Sequence, residues 1–140
     1  MKTGIMIVGL NGVNASTLIS GCIMMQLGEI LEQYGITSSM DFQSVNFNGV
    51  DDFIFSGWDY FDANQYEMLK EYGIVKFTNS EQLEKMLTEI RPFKGIHTNK
   101  DIVLEDKFNH FIIPDSIIEA ITILENNIEE FRNKFSLETV

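Results

Sequence analysis

The sequence predicts an α/β domain built on a doubly wound parallel sheet, and three features carry that prediction. The apolar run Gly4–Val8 breaks at Gly9, crosses a loop of small and amide residues, and enters a long segment with helical spacing. Beyond it, β-prone stretches and helix-patterned stretches alternate, as parallel strands joined by helical crossovers require. Finally, Ile117, Ile121, Leu124, Ile128, Phe131 and Phe135 recur at alternating steps of four and three, the spacing of one helix face. The 140 residues suffice for one domain with a real core. The sheet is expected to be incomplete in this chain, because Leu137–Val140 reads as the start of a further strand with nothing after it.

Taken in order, the first helix is expected over Ser16–Tyr34, with Gly35 as its C-terminal stop. It is apolar almost all round, which predicts burial on more than one side. Residues 36–52 are polar and irregular and read as an insertion. A second apolar strand follows over Asp52–Ser56 and stops at Gly57, with Asp59 just past its end. Asp62 with Gln65 has the spacing of a capping box for a helix over Ala63–Tyr72 that ends at Gly73. Ile74–Phe77 is β-prone. Ser80 caps a helix whose Leu83, Met86, Leu87 and Ile90 share a face, and Pro92 ends it. Phe93–His97 is expected to be the third strand. Pro114 opens the last helix, Ser116 and Glu119 match a capping box, and the isoleucine and phenylalanine stripe is expected to pack on the sheet.

The junction over residues 9–17 is the candidate binding site. A strand that runs through a glycine loop into a helix aims backbone N–H groups and the positive end of the helix dipole at one point, where a diphosphate is stabilised without a basic side chain. The dinucleotide fingerprint of Rossmann-like folds reads G-x-G-x-x-G, whereas here Gly9, Asn11, Gly12 and Ala15 occupy the loop. Asp59 closes the second strand, the position from which an acid accepts hydrogen bonds from the adenosine ribose, at an interval stretched by the insertion. The alternatives are a tight turn without a ligand and an Asp59 that merely caps or turns the chain.

A formal charge of −11 argues against nucleic-acid and anionic-membrane partners. Residues 1–40 carry only Lys2, Glu29 and Glu32, while acids crowd residues 101–140, so the negative field lies away from the loop. The single Cys22 cannot form an internal disulfide and reads as a small buried hydrophobe in a reducing compartment. His97 and His110 are too far apart, with too few ligand types near them, to suggest a metal, and each reads as a hydrogen-bonded surface or loop residue. With no signal peptide and no apolar run long enough to span a bilayer, the expected location is the cytoplasm.

Four segments in order, Gly9-Leu10-Asn11-Gly12-Val13-Asn14-Ala15-Ser16-Thr17, Ser56-Gly57-Trp58-Asp59, Arg91-Pro92-Phe93-Lys94-Gly95-Ile96 and the helix leading into Leu137–Val140, make the chain resemble the N-terminal part of inositol-3-phosphate synthases. The resemblance implies a Rossmann domain that binds NAD through Gly9, Asn11, Gly12, Val13 and Asn14 at the pyrophosphate, Asp59 at the ribose, and Gly95 with Ile96 lining the cofactor. It also implies homo-oligomers, and a reaction in which glucose 6-phosphate is oxidised, enolised, closed by an aldol step and reduced to an inositol monophosphate. Asn11, Ala15 and Lys94 depart from the family pattern, and the family's catalytic lysines fall in a region outside this chain, so no residue here is expected to be catalytic. The competing expectations are a non-catalytic nucleotide-binding or assembly module and a different NAD-dependent oxidoreductase.

Overall fold

The computed structural model describes residues 2–29, 49–73, 80–98 and 105–140. Its elements are β1 (Thr3–Val8), α1 (Val13–Gln26), a single 3-10 turn (Val50–Asp52), β2 (Phe53–Asp59), α2 (Gln65–Tyr72), α3 (Glu81–Thr88), β3 (Phe93–Ile96), β4 (Phe111–Ile112) and α4 (Ile117–Phe135). Four parallel strands form one sheet in the order β1-β2-β3-β4. The register runs Thr3 opposite Phe53 through Val8 opposite Trp58, so β1 and β2 end side by side.

The chain also touches the other edge of β1. After α4, Thr139 forms a parallel bridge with Thr3, and the Gly4 N–H donates to the Thr139 carbonyl at 2.8 Å. β2 lies on one side of β1 and residue 139 on the other, so β1 stands where the direction of winding reverses. In open α/β sheets the crevice beyond such a strand's carboxyl end is where ligands bind.

Alternation along the strands assigns the two faces. Ile5, Ile7, Phe53 and Phe55 point to one side and pack with Leu10, Ile19, Cys22, Ile23, Leu69, Leu83 and Leu87, which come from the loop and from α1, α2 and α3. Each fully buried Leu or Ile there stabilises by about 1.5–3 kcal/mol. Burial among these groups pushes the Cys22 thiol above its ordinary pKa. On the other side, a β carbon at Gly4 would meet Phe131 and Leu137, and Trp58 Nε1 donates to Asn127 Oδ1 at 2.9 Å, which fixes α4 to that face.

Several elements differ from the sequence-based expectations. α1 starts at Val13 and stops at Gln26 rather than near Tyr34. The cause is Gly28, at φ +71°: its N–H donates to Met25 O, and the Glu29 N–H to Met24 O, a Schellman closure. Gln26 then donates from Nε2 to Val50 O at 2.6 Å and Phe53 O at 3.1 Å, tying the end of α1 to the start of β2. The α2 cap is Asn64 with Glu67, not Asp62 with Gln65. Asp62 instead lies 3.6 Å from Arg91 and 3.8 Å from His110, while Gln65 is buried. β4 was not anticipated. It is held through His97 N–H to Ile112 O and Gly95 N–H to His110 O. The α4 stripe is best buried toward its C-terminal end: Phe131 is 2% exposed, whereas Ile117 is 77% exposed. The expected residues 30–35 of the first helix, the 36–48 insertion and Ile74–Phe77 lie outside the described residues.

Candidate functional site

Gly9 ends β1 at φ +82°, a left-handed conformation that a side chain would strain. The N–H groups of Gly9 and Leu10 both donate to the Trp58 carbonyl, at 2.8 and 3.1 Å, which fastens the loop to the end of β2. Gly12 N–H returns to Gly9 O at 3.0 Å, closing the turn. Gly12 then occupies the N-cap position of α1 with extended backbone and no capping side chain. The amides of the first turn, Val13, Asn14 and Ala15, therefore open beyond the strand at the positive end of a 14-residue helix.

Asp59 and Asn11 join this loop to β2 and α2. Asp59 Oδ2 accepts the Asn11 backbone N–H at 2.9 Å, and Oδ1 accepts the Phe61 N–H at 3.0 Å. A carboxylate has about four lone-pair sites, so each oxygen keeps capacity for one more donor. Asn11 itself is 3% exposed. Its Nδ2 donates to Phe61 O at 2.7 Å and Ala63 O at 3.0 Å, and its Oδ1 accepts from Gln65 Nε2 at 2.9 Å. The Asn11 side chain thus faces the protein and not the open side of the loop.

Two hollows meet at Gly9, Asp59 and Phe108. One, of about 710 Å³, runs along Gly12 and α2 and is walled by Glu67, Glu71 and Tyr72, with Lys107 at its rim. Tyr72 donates to Asn11 O at 2.7 Å, and burial, with the nearby charges of Asp59 and Glu71, raises its phenol above the ordinary value. The other, of about 590 Å³, is apolar and lined by Val8, Trp58, Gly95, Ile96, Leu124 and Ile128. At Gly95 a β carbon would run into the Tyr60 ring, whose hydroxyl donates to Ile96 O at 2.7 Å. This packing places the end of β3 against the hollow.

The structure therefore brings Gly9, Asn11, Gly12, Val13, Asn14, Asp59, Gly95 and Ile96 to one end of the sheet. Sequence reasoning missed Gln65, Tyr72 and Phe108. Gln65 carried a signal, since it shares a helix face with Met68 and Leu69, and a polar side chain on a buried stripe needs a partner. His97 is buried rather than at the surface, 3.5 Å from the Tyr60 hydroxyl, while His110 sits 3.2 Å from Pro92 O. Among the described residues no cluster of His, Cys, Asp and Glu could hold a metal ion, and no helix is long and apolar enough to cross a membrane.

Residues 3–140 match the family model of myo-inositol-1-phosphate synthase, in its NAD-binding domain. The chain belongs to that family. NAD is accordingly the cofactor of this domain, and the Rossmann-like fold is the family's own. Inositol-3-phosphate synthase 1 of Populus euphratica is 25% identical over 99% of this chain and 32% of its own length, and isozyme 1 of Arabidopsis thaliana gives the same figures. The solved inositol-3-phosphate synthase of Caenorhabditis elegans superposes with a TM-score of 0.70 at 24% identity, over 99% of this chain and 33% of that one, which shows the shared fold. The chain spans about a third of the length of these relatives.

Proposed function

We propose that this chain is the NAD-binding part of a synthase that turns glucose 6-phosphate into an inositol monophosphate through oxidation, enolisation, aldol closure and reduction. The observation that carries the proposal is the uncapped start of α1 beside β1, at the point where the winding of the sheet reverses, in a chain matched by the family model throughout. The site fits the cofactor. Gly9 and Gly12 bring no side chain to the loop, and α1 has no side-chain cap of its own to compete for the amides of Val13, Asn14 and Ala15.

In this reading those amides hold the diphosphate. Asp59 accepts the ribose hydroxyls with its spare lone pairs. Gly95 and Ile96 line the apolar hollow for the adenine end. The carboxylates of Glu67 and Glu71 near Asp59 repel an additional phosphate and so favour NAD over NADP. NAD, when bound, supplies reversible hydride acceptance. The residues here bind and orient it; the cations that an enolate and an aldol step require are assigned to the family's region outside this chain. The exposed apolar residues Ile117, Ile118 and Ile121 on α4 support assembly into oligomers.

Calorimetric titration with NAD tests the cofactor half of the proposal. Saturable one-site binding is expected, weakened about tenfold or more in Asp59→Asn, because the amide lacks the charge that holds the ribose and can accept only one of the two backbone N–H groups of Asn11 and Phe61. A folded wild type that takes up no NAD overturns the reading. For the reaction, the natural gene product is incubated with glucose 6-phosphate and NAD, and inositol monophosphate is sought by chromatography; its absence from an NAD-loaded, folded protein overturns the substrate assignment.

A further inference from the structure

In the glycine fingerprint the second glycine lets the loop backbone come close to the diphosphate, because no side chain stands between them. This chain has Asn11 there, a residue that would obstruct the ligand if its amide pointed outward. At 3% exposure it does not. Instead every polar atom of Asn11 is taken up by the protein: N–H by Asp59 Oδ2 at 2.9 Å, C=O by the Tyr72 hydroxyl at 2.7 Å, Nδ2 by Phe61 O at 2.7 Å and Ala63 O at 3.0 Å, and Oδ1 by Gln65 Nε2 at 2.9 Å. Gln65 Nε2 donates also to Leu10 O at 2.9 Å, so α2 grips two successive residues of the loop.

Phe61, Ala63 and Gln65 meet the side chain, so a glycine at position 11 would leave the 61–63 segment and α2 without that hold, while the bonds of Asp59 and Tyr72 to the backbone of residue 11 would remain. We propose that Asn11 is a positioning residue for the diphosphate, an inference that rests on the NAD reading above. Its inward amide fixes the loop so that Gly12 and the first amides of α1 stay aimed at the ligand. The chain thereby obtains by side-chain clamping the close approach that the fingerprint obtains by omitting a side chain. Preorganisation of this kind strengthens binding because less freedom is lost when the ligand arrives.

The test compares two ligands on the same protein by calorimetry. NAD carries the diphosphate; adenosine carries only the ribose and base, which meet Asp59 and the apolar hollow. Asn11→Gly is expected to weaken NAD about tenfold, the net worth of about one hydrogen bond, and to leave adenosine unchanged. Tyr72→Phe keeps the side-chain clamp, removes only its bond to the loop carbonyl, and is expected to shift NAD in the same direction by a smaller factor. Parallel loss of both ligands in Asn11→Gly makes the residue a general support of the fold and overturns the inference, as does unchanged NAD affinity. If Asn11→Gly does not fold, Gln65→Met, which removes the donor to Asn11 Oδ1, decides, and an unchanged ratio of NAD to adenosine affinity overturns the inference. A wild type that binds neither ligand is a different result, since it removes the NAD reading itself.

Discussion

The starts of α1 and α2 lie within one hydrogen-bonded network and are finished in opposite ways. At α2, Asn64 Oδ1 accepts the Glu67 N–H at 2.9 Å while Glu67 Oε2 accepts the Asn64 N–H at 2.8 Å, a reciprocal capping box that answers the first-turn donors from within the chain. At α1, Gly12 has no side chain to offer. α3 and α4 are also capped from within the chain, by the serine hydroxyls of Ser80 and Ser116, without the reciprocal bond. A helix whose first turn is satisfied locally serves the fold. A helix left open at the reversal point of the sheet keeps its donors for something that arrives, and the family's cofactor carries the negative charge such an end attracts.

Four substitutions break or sharpen this contrast. The largest effect is expected at the open end, from Gly9→Val: a β-branched residue at φ +82° is strained, the turn shifts, and NAD affinity falls about a hundredfold in calorimetry, with a clear drop in melting temperature. At the closed end, Asn64→Ala should cost about 1–2 kcal/mol, read as a lower urea midpoint, with NAD affinity held in the protein that remains folded. Exchanging the two designs is subtler. Gly12→Ser gives α1 a cap of its own; the β carbon lies 3.1 Å from Gly9 O, so the turn must give slightly. Stability should change by only a few tenths of a kcal/mol, while NAD binding weakens severalfold because the hydroxyl now competes for the amides.

The smallest effect concerns alkaline pH. Tyr72 has a phenol pKa raised in the folded state by burial and by Asp59 and Glu71, so the folded protein holds its proton more tightly than the unfolded one. The stability this supplies is fully present below the unfolded value of about 10 and is lost as pH rises through the folded value. Wild type should therefore lose melting temperature more steeply than Tyr72→Phe above pH about 10, and the two curves should run parallel below it.

How much of this was legible follows from how local each signal is. The β1–loop–α1 junction, the Ser80 and Ser116 caps and the Gly73 stop depend on residues within one turn of each other, and the structure has all of them. α1 stops at Gly28, short of the expected Gly35, and Gln26 at its end bonds carbonyls at the start of β2, partners remote in sequence that no local signal announces. The α2 cap moved by two residues because Asp62 is drawn toward Arg91 and His110, which are remote in sequence. β4 is two residues long, too short to show a period, and exists because β3 offers its edge. The stripe on α4 is regular along its full length, yet its burial falls from Phe131 to Ile117, and periodicity carries no information on which turns find a partner.

At the site the same division holds. Glycine at positions 9 and 12, an acid at 59 and an apolar strand before them were fixed by residue type, because left-handed backbone, an unobstructed loop and an ionised acceptor are properties of single residues. The direction in which Asn11 points was not. An amide can face a ligand or a core with equal chemistry, and here the carbonyls of Phe61 and Ala63, the amide of Gln65 and the hydroxyl of Tyr72 turn it inward, partners that lie about fifty to sixty residues away along the chain and meet it only when the sheet closes.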